Sequence, residues 1–159
     1  MLKNFLITGG SGFIGSHFIE LLLKKNKNVI NIDIKKHTYN LKNKNYIFKK
    51  GNICDFKFLN KNINRRIDCI VNFAAQTHVD RSIDFPKDFV KNNILGTFNL
   101  LEIIRKKKIN TIFVQISTDE VFGSLKKNQK SFNENSQIKP NSPYSASKAS
   151  ADNLVRSYN

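Results

Sequence analysis

Residues 8–16 read T-G-G-S-G-F-I-G-S and place Gly9, Gly12 and Gly15 in a GxxGxxG pattern. A short apolar run typical of a strand precedes the pattern, and a segment with helical periodicity follows it. In a strand–loop–helix unit of this kind the backbone turns tightly and approaches a pyrophosphate closely, which side chains at the glycines would prevent. The stretch therefore predicts a dinucleotide-binding unit at the start of the chain.

An acidic residue ends the next predicted strand, N-V-I-N-I-D at 28–33. Asp33 follows Gly15 along the chain at the spacing where a carboxylate accepts hydrogen bonds from the adenosine ribose of a bound dinucleotide. Because a carboxylate at this position repels a 2′-phosphate, NAD is predicted in preference to NADP. The alternative is an acid at a strand end with no ligand.

Short apolar runs alternate with longer segments of helical periodicity, which is typical of βαβ units on a parallel sheet. Helices are predicted after the glycine loop, at about 56–63, from Pro86 to about Lys107, and from Ser142–Pro143 to Asn159. The apolar face of the first helix is predicted to contain Phe13, Ile14, His17, Phe18, Leu21 and Leu22. Strands are predicted at 4–8, 28–33, 46–50, 68–73 and 111–117.

These elements predict an α/β fold with a Rossmann-like, doubly wound parallel sheet, formed by one NAD-binding domain over residues 1–159. A sheet of this class normally continues with at least one more strand. No further strand is predicted, so we expect the fold to be incomplete at the C-terminus. The polar stretch 124–141 is long for a connection in a compact domain and is typical of a lid or a substrate loop.

The composition indicates one globular domain with a strong positive charge. Lys and Arg number 27 against 12 Asp and Glu, a formal net charge of +15, which raises the hypothesis of nucleic-acid binding. However, most of these residues are lysines in short groups at the ends of apolar segments. Solvated helix ends and loops are therefore favoured, and no nucleic-acid partner is predicted.

The two cysteines, Cys54 and Cys69, lie in apolar surroundings without CxxC spacing. Buried free thiols are predicted rather than a disulfide or a metal site, which fits a reducing compartment. No apolar run approaches the ~18 residues of a membrane span, and the apolar start leads directly into the glycine pattern. We therefore predict a soluble, cytoplasmic protein without a membrane partner.

The last predicted helix begins P-Y-S-A-S-K and places Tyr144 and Lys148 at positions i and i+4 on one helix face. A tyrosine with the ordinary pKa of ~10 is a weak base at neutral pH, and a neighbouring ammonium group favours the phenolate. The pair therefore indicates a Tyr–Lys acid–base site.

Two adjacent carboxylates follow the fifth predicted strand, in S-T-D-E-V-F-G at 117–123. Ligands of parallel α/β sheets bind at the carboxyl ends of the strands, so Asp119 and Glu120 are candidate site residues. The alternative is a pair of solvated loop acids.

Four stretches resemble the extended short-chain dehydrogenase/reductase superfamily, and within it the nucleotide-sugar 4,6-dehydratases, above all the dTDP-glucose 4,6-dehydratases. The resemblance covers essentially the whole chain. It implies that the C-terminal part of the relatives, which holds most of the sugar nucleotide, is absent here. The stretches are S-T-D-E-V-F-G at 117–123, N-F-A-A-Q-T-H-V-D-R-S-I at 72–83, N-N-I-L-G-T-F-N-L-L-E at 92–102 and S-P-Y-S-A-S-K-A-S-A-D at 142–152.

The resemblance implies a conversion of dTDP-glucose to dTDP-4-keto-6-deoxyglucose, in which tightly bound NAD takes a hydride from C4 and returns it to C6. Tyr144 would take the proton of the 4-hydroxyl, with Lys148 supporting the phenolate and holding the nicotinamide ribose. Thr118 would hydrogen-bond the reacting oxygen. Glu120 would be the base at C5 and Asp119 the acid at the departing C6 hydroxyl, as when paired titratable groups divide two roles.

The resemblance also implies the cofactor contacts. Asn52 stands where many relatives have Asp, Gln76 where common relatives have Glu, and Phe122 where Tyr is frequent. The residues that match cofactor-binding segments are Gly9, Gly12, Phe13, Ile14, Gly15, Asp33, Asn52, Ile53, Ala74, Ala75, Thr77, Asn92, Tyr144 and Lys148.

Several alternatives stay open. A 4-epimerase or a UDP-glucuronate decarboxylase shares the glycine loop, the tyrosine and the lysine but does not need the acid–base pair. A truncated, non-catalytic NAD-binding module is the other alternative. The substrate is dTDP-glucose or UDP-glucose, and the superfamily implies a homodimer formed through the helices at 86–107 and 142–158. His78 is predicted to be structural. Asp80 and Arg81 are predicted to form a structural pair, and the alternative is that they contact the substrate.

Overall fold

The computed structural model describes residues 1–36 and 42–158. Within them a single parallel sheet has the strand order β3-β2-β1-β4-β5. This is the order of a Rossmann sheet without its sixth strand, and it confirms the predicted α/β class. The strands are β1 Asn4–Thr8, β2 Asn28–Asp33, β3 Tyr46–Lys50, β4 Cys69–Asn72 and β5 Ile112–Gln115.

The helices agree with the predicted positions, with two differences. The predicted helix from Pro86 to about Lys107 is a continuous helical run whose middle, Val90–Leu95, is a π-helix, and α3 was not predicted. A 3₁₀-helix at Asp119–Phe122 follows β5. The α-helices are α1 Phe13–Lys24, α2 Phe56–Asn62, α3 Val79–Asp84, α4 Pro86–Phe89, α5 Gly96–Lys107 and α6 Pro143–Ser157.

The sheet has a hydrophobic core on each face, as a doubly wound fold requires. Leu6 and Ile7 are consecutive in β1 and point to opposite faces. On the Leu6 face the strands pack against α2 and α5, and on the Ile7 face they pack against α1. Both side chains are fully buried, which fixes the register of the central strand.

The predicted apolar face of α1 was wrong in part. Phe13 and Ile14 are 81% and 63% exposed, whereas Ile19 and Leu23 are buried together with Leu22. The first turn of α1 lies at the wall of a cleft rather than on the core. Its apolar side chains therefore face the space where a ligand can bind.

β5 forms one edge of the described sheet. Ile112 and Val114 are 52% and 38% exposed, although β4 beside them is buried along its whole length. Parallel sheets are normally covered on both faces, so this edge is less protected than the rest.

Cys54 and Cys69 are both free thiols, as predicted, but only Cys69 is buried, and Cys54 is partly exposed. Burial raises the pKa of both thiols. Within the described residues, no helix combines the length and the hydropathy needed to cross a membrane.

Glu102 connects α5 to the end of α6. Its carboxylate accepts hydrogen bonds from Arg105 Nε at 2.6 Å and from the Tyr158 hydroxyl at 2.9 Å. The guanidinium of Arg105, followed by Tyr158, lowers the pKa of Glu102 from 4.5 to about 2.

Because the pKa of Glu102 is lower in the folded chain, its stabilising contribution is complete above pH 4.5 and is lost as the pH falls towards 2. We expect Glu102→Gln to reduce the fall in melting temperature between pH 6 and pH 3. Thermal melts at the two pH values test this, with Glu20→Gln on α1 as the matched control. An unchanged pH dependence would show that the carboxylate does not couple folding to pH.

Candidate active site

A cleft of about 790 Å³ lies at the carboxyl ends of the strands. It includes the switch point between β1 and β4, where ligands of doubly wound folds bind. The cleft is lined by every residue predicted to contact the cofactor: Gly9, Gly12, Phe13, Ile14, Gly15, Asp33, Asn52, Ile53, Ala74, Ala75, Thr77, Asn92, Tyr144 and Lys148. The structure thus brings these residues together, although their contacts with a ligand remain predictions.

The glycine loop packs directly on the chain that leaves β4. Gly9 has a φ of 68°, and a Cβ there would lie 2.5 Å from the Ala74 nitrogen and 2.7 Å from the Phe73 carbonyl carbon. Neither neighbour is a flexible side-chain end, so only glycine fits at this position.

The N-terminus of α1 offers free backbone donors to the cleft. The first helical hydrogen bond joins the Ser16 N–H to the Gly12 carbonyl at 3.0 Å, which leaves the N–H groups of residues 13–15 without helical partners. No side chain caps this end, and no acid lies in the first turn. The site therefore suits an anionic group such as a phosphate.

Asp33 is held in place at the far wall of the cleft. Its Oδ2 accepts the Ser11 N–H at 2.9 Å, and its Oδ1 accepts the Lys35 N–H at 3.0 Å. Each carboxylate oxygen can accept a further hydrogen bond. Asp33 can therefore bind hydroxyl groups while it also fixes the loop.

Asn52 and Asn92 are held by local hydrogen bonds at the cleft wall. Asn52 Oδ1 accepts the Cys54 N–H at 2.8 Å, and Asn92 Nδ2 donates to the Asp88 carbonyl at 2.8 Å. These contacts fix both amides beside Ile53.

Tyr144 and Lys148 stand at the start of α6, and both are buried. The helix start is fixed by reciprocal hydrogen bonds between Ser142 and Ser145 and by Pro143 in the first turn. The ring of Tyr144 packs edge-on against buried Phe89, with the ring centroids 6.2 Å apart. These contacts hold the Tyr144 ring in place at the start of the helix.

The predicted effect of Lys148 on Tyr144 is not seen. Burial raises the pKa of Tyr144, the nearby Thr118 hydroxyl opposes this shift, and the charges of Glu120 and Asp119 add to it. The Lys148 ammonium donates to the Ile116 carbonyl instead, and burial lowers its own pKa. In this structure burial therefore favours the neutral phenol of Tyr144.

Asp119 and Glu120 lie in the 3₁₀-helix beside Tyr144 and do not line the cleft. The Thr118 hydroxyl caps this helix by accepting the Glu120 N–H at 3.3 Å. Asp119 is exposed and Glu120 is half-buried. Both residues are close enough to Tyr144 for their charges to raise its pKa.

α6 holds the segment that leads to the carboxylates. Besides the contact from Lys148 to the Ile116 carbonyl, the Ser117 hydroxyl donates to Asp152 Oδ2 at 2.5 Å. Burial raises the pKa of Asp152, while the Ser117 hydrogen bond and the Lys148 charge lower it. Residues one and two helical turns after Tyr144 thus fix the position of Thr118.

Two buried amides near the site were missed by sequence reasoning. Asn93, in the π-helix, donates to the Gln76 carbonyl at 3.0 Å, accepts the Gln76 N–H at 2.8 Å and donates to Ser147 on α6 at 2.8 Å. Asn31 lies under the glycine loop. The sequence feature that could have identified them is an asparagine whose neighbouring residues predict a buried segment.

The predicted pairing of Asp80 with Arg81 was wrong. Arg81 lines the cleft and forms its ion pair with Asp88, at 3.8 Å. The two side chains are about half exposed, so the pair contributes little to stability.

A family model described as GDP-mannose 4,6 dehydratase matches residues 6–159. The chain belongs to this family. The chain is 41% identical to the dTDP-glucose 4,6-dehydratase of Haemophilus influenzae, and the match covers 99% of this chain and 52% of that protein. This relative is named for dTDP-glucose, whereas the family model is named for GDP-mannose.

Solved structures agree with the family assignment. The dTDP-glucose 4,6-dehydratase from Streptomyces venezuelae, solved with NAD bound, superposes with a TM-score of 0.88 at 38% identity, over 98% of this chain and 51% of that chain. UDP-glucose 4-epimerase from Thermus thermophilus, in complex with NAD, gives 0.88 at 30% identity, over 98% and 50%. The chain spans about half the length of the curated relatives it matches.

Proposed function

We propose that this chain forms the NAD-binding and acid–base part of a sugar-nucleotide 4,6-dehydratase that converts dTDP-glucose to dTDP-4-keto-6-deoxyglucose. The observation that carries the proposal is the position of Asp119 and Glu120. The charges of both carboxylates raise the pKa of buried Tyr144. Tyr144 itself lines the cleft that starts at the glycine loop. A dehydration needs this combination of a dinucleotide site with a tyrosine and two further proton carriers.

The cleft fits NAD on three structural grounds. The close packing at Gly9 admits no side chain, the N-terminus of α1 has free N–H groups at the cleft wall, and Asp33 presents acceptors for ribose hydroxyls. When bound, NAD supplies a hydride acceptor at the sugar C4 and a hydride donor at C6.

Tyr144 is proposed to remove the proton of the sugar 4-hydroxyl, with Thr118 bonded to the same oxygen. The raised pKa of Tyr144 makes it a poor base until positive charge approaches. Lys148 is the buried cation on the same helix face, one turn away. We propose that its ammonium group shifts from the Ile116 carbonyl towards the tyrosine and the ribose when the cleft is occupied.

Glu120 and Asp119 are proposed to carry the elimination. A keto group at C4 acidifies the C5 hydrogen, so a carboxylate at C5 removes it while an acid at C6 protonates the departing hydroxyl. By the family resemblance, Glu120 is proposed as the base and Asp119, in its carboxylic acid form, as the proton donor.

The partners of the intact protein follow from the same proposal. The substrate is a sugar nucleotide, dTDP-glucose or UDP-glucose, and the part of the protein that reads its base is proposed to lie outside these residues. A homodimer is proposed through the helices at 86–107 and 142–158. Exposed apolar side chains support an interface on the first of these helices: Val90, Leu95 and Phe98.

Turnover with two substrates tests the proposal. The chain is incubated with NAD and either dTDP-glucose or UDP-glucose, once alone and once mixed with the C-terminal half of a related dTDP-glucose 4,6-dehydratase. The masses of the products are measured by mass spectrometry. We expect a product lighter by one water molecule. A product of unchanged mass with inverted C4 would indicate an epimerase, and NAD binding without any turnover would indicate a non-catalytic module.

Asp33→Asn is expected to weaken the preference for NAD over NADP by about tenfold or more, because the repulsion of a 2′-phosphate disappears. The amide keeps one acceptor for the two N–H groups that hold the side chain. Calorimetric dissociation constants for both cofactors measure the ratio. Asp80→Asn on α3 is the control, and an unchanged ratio at Asp33 would contradict the assignment.

A further inference from the structure

A buried amide on β2 lies directly below the glycine loop. Asn31 is fully buried, and the neighbouring β2 residues Val29 and Ile32 are buried and apolar. An amide placed there without partners would be costly. Asn31 is fully engaged: its Oδ1 accepts the Gly10 N–H at 3.1 Å, and its Nδ2 donates to Ser11 Oγ at 3.2 Å and to the Tyr46 hydroxyl at 3.0 Å.

Three consecutive loop N–H groups are bonded to three consecutive residues of β2. The Gly9 N–H donates to the Ile32 carbonyl at 2.9 Å, the Gly10 N–H donates to Asn31, and the Ser11 N–H donates to Asp33 at 2.9 Å. The Gly9 N–H binds a backbone carbonyl and the Ser11 N–H binds a carboxylate. The Gly10 N–H between them binds an uncharged side chain. Asn31 also holds the Ser11 hydroxyl, so it contacts both residues at the centre of the loop.

The loop and the amide are in close contact. A Cβ at Gly10 would lie 2.5 Å from Asn31 Oδ1 and 2.5 Å from Ile19 Cδ1. The backbone at Gly10 therefore rests directly on the asparagine. On the other side, the Tyr46 hydroxyl of β3 keeps the amide from rotating.

We propose that Asn31 is a positioning residue that fixes Gly10 and Ser11, and thereby sets the free N–H groups at the start of α1 for the phosphates of a dinucleotide. Asn31 does not line the cleft, so it acts through the loop and never touches the ligand. The inference that the loop is set for phosphates rests on the proposed function. The inference that Asn31 fixes the loop is independent of that function.

Amide hydrogen exchange without ligand tests the fixing of the loop. In ¹⁵N-labelled protein, Asn31→Leu removes every polar contact at nearly constant volume. We expect exchange at the Gly10 N–H to accelerate about tenfold or more, with much less change at Gly9, which keeps its backbone partner. Asn28→Leu, an asparagine at the other end of β2 that donates to Asn4, is the matched control and is expected to leave Gly10 unchanged.

Ligand binding tests the consequence. Asn31→Leu is expected to weaken the binding of ADP about tenfold. The affinity for adenosine, which lacks the phosphates, should stay within about twofold of the wild-type value. Equal losses of affinity for both ligands, or unchanged Gly10 exchange, would overturn the inference.

If Asn31→Leu does not fold, Tyr46→Phe decides: about threefold faster Gly10 exchange supports the proposal, and unchanged exchange overturns it. A wild-type chain that binds neither ligand contradicts the proposed function, whereas the exchange result still decides the role of Asn31.

Discussion

Alanine in place of Gly9 is expected to destabilise the domain by roughly 2–6 kcal/mol and to abolish NAD binding. The left-handed φ of 68° is strained for alanine, and the added methyl group would overlap the backbone at residues 73 and 74. Because domains of this size are stable by only about 5–15 kcal/mol, the loss is a large share of the total. Thermal melts should show a fall in the midpoint on the order of 10 °C.

Gly12→Ala is the matched control, because it adds the same methyl group to the same loop at an ordinary φ and with a single tight contact. Gly12 has a φ of −76°, and a Cβ there would contact only the Gly9 carbonyl oxygen, at 3.3 Å. We expect its stability to stay within about 1 kcal/mol of the wild-type value, with NAD binding weakened because the methyl group enters the cleft. If Gly9→Ala melts and binds NAD like the wild type, the described loop conformation is wrong.

Replacing Glu120 with glutamine is expected to lower the dehydration rate by about 10²–10⁴-fold, since the proposed base at C5 is lost. NAD affinity should not change, because Glu120 does not line the cleft. The effect therefore separates the chemistry from cofactor binding. It also separates the proposed dehydratase from an epimerase, which does not need a base at C5.

Single-turnover assays in ²H₂O measure this directly in the reconstituted chain, by following the loss of water and the entry of deuterium at C5. Glu134→Gln, in the exposed loop at 124–141, is the control and is expected to react at the wild-type rate. A Glu120→Gln protein that dehydrates the substrate at full speed would remove Glu120 from the mechanism and leave the carboxylate pair without a role.

The fold was predictable because its signals are local. Each of the five strands is a short apolar run bounded by polar residues, and its position follows from the sequence alone. The glycine loop, Asp33 and the Tyr144–Lys148 pair could be found in the same way, since a fixed spacing after a strand or along a helix determines where each side chain goes. All of them line one cleft.

The remaining features depend on tertiary packing. The apolar residues Phe13 and Ile14 fit a helical stripe but lie at the cleft wall, because the glycine loop sets where α1 begins. The π-helix at Val90–Leu95 shifts the register of the helical run from Pro86 to Lys107, and Phe98 after it is 39% exposed. Neither result follows from 3.6-residue periodicity.

The electrostatics of the site were also beyond sequence reasoning. A spacing of four residues places Lys148 beside Tyr144 but does not say which acceptor the ammonium group chooses. The Ile116 carbonyl competes for it, and burial then dominates the pKa of Tyr144. The partners of Asn31 and Asn93 come from segments far apart in the chain, and no local pattern identifies them.

A calorimetric titration of the wild-type chain with NAD and with NADP, accompanied by thermal melts, tests the assignment of the cleft directly. We expect NAD to bind to one site and to raise the melting temperature, since a ligand at 100 times its dissociation constant stabilises the folded state by about 2.7 kcal/mol. NADP should bind at least about tenfold more weakly, because Asp33 opposes its 2′-phosphate. A chain that melts cooperatively but binds neither cofactor would contradict the assignment of the cleft.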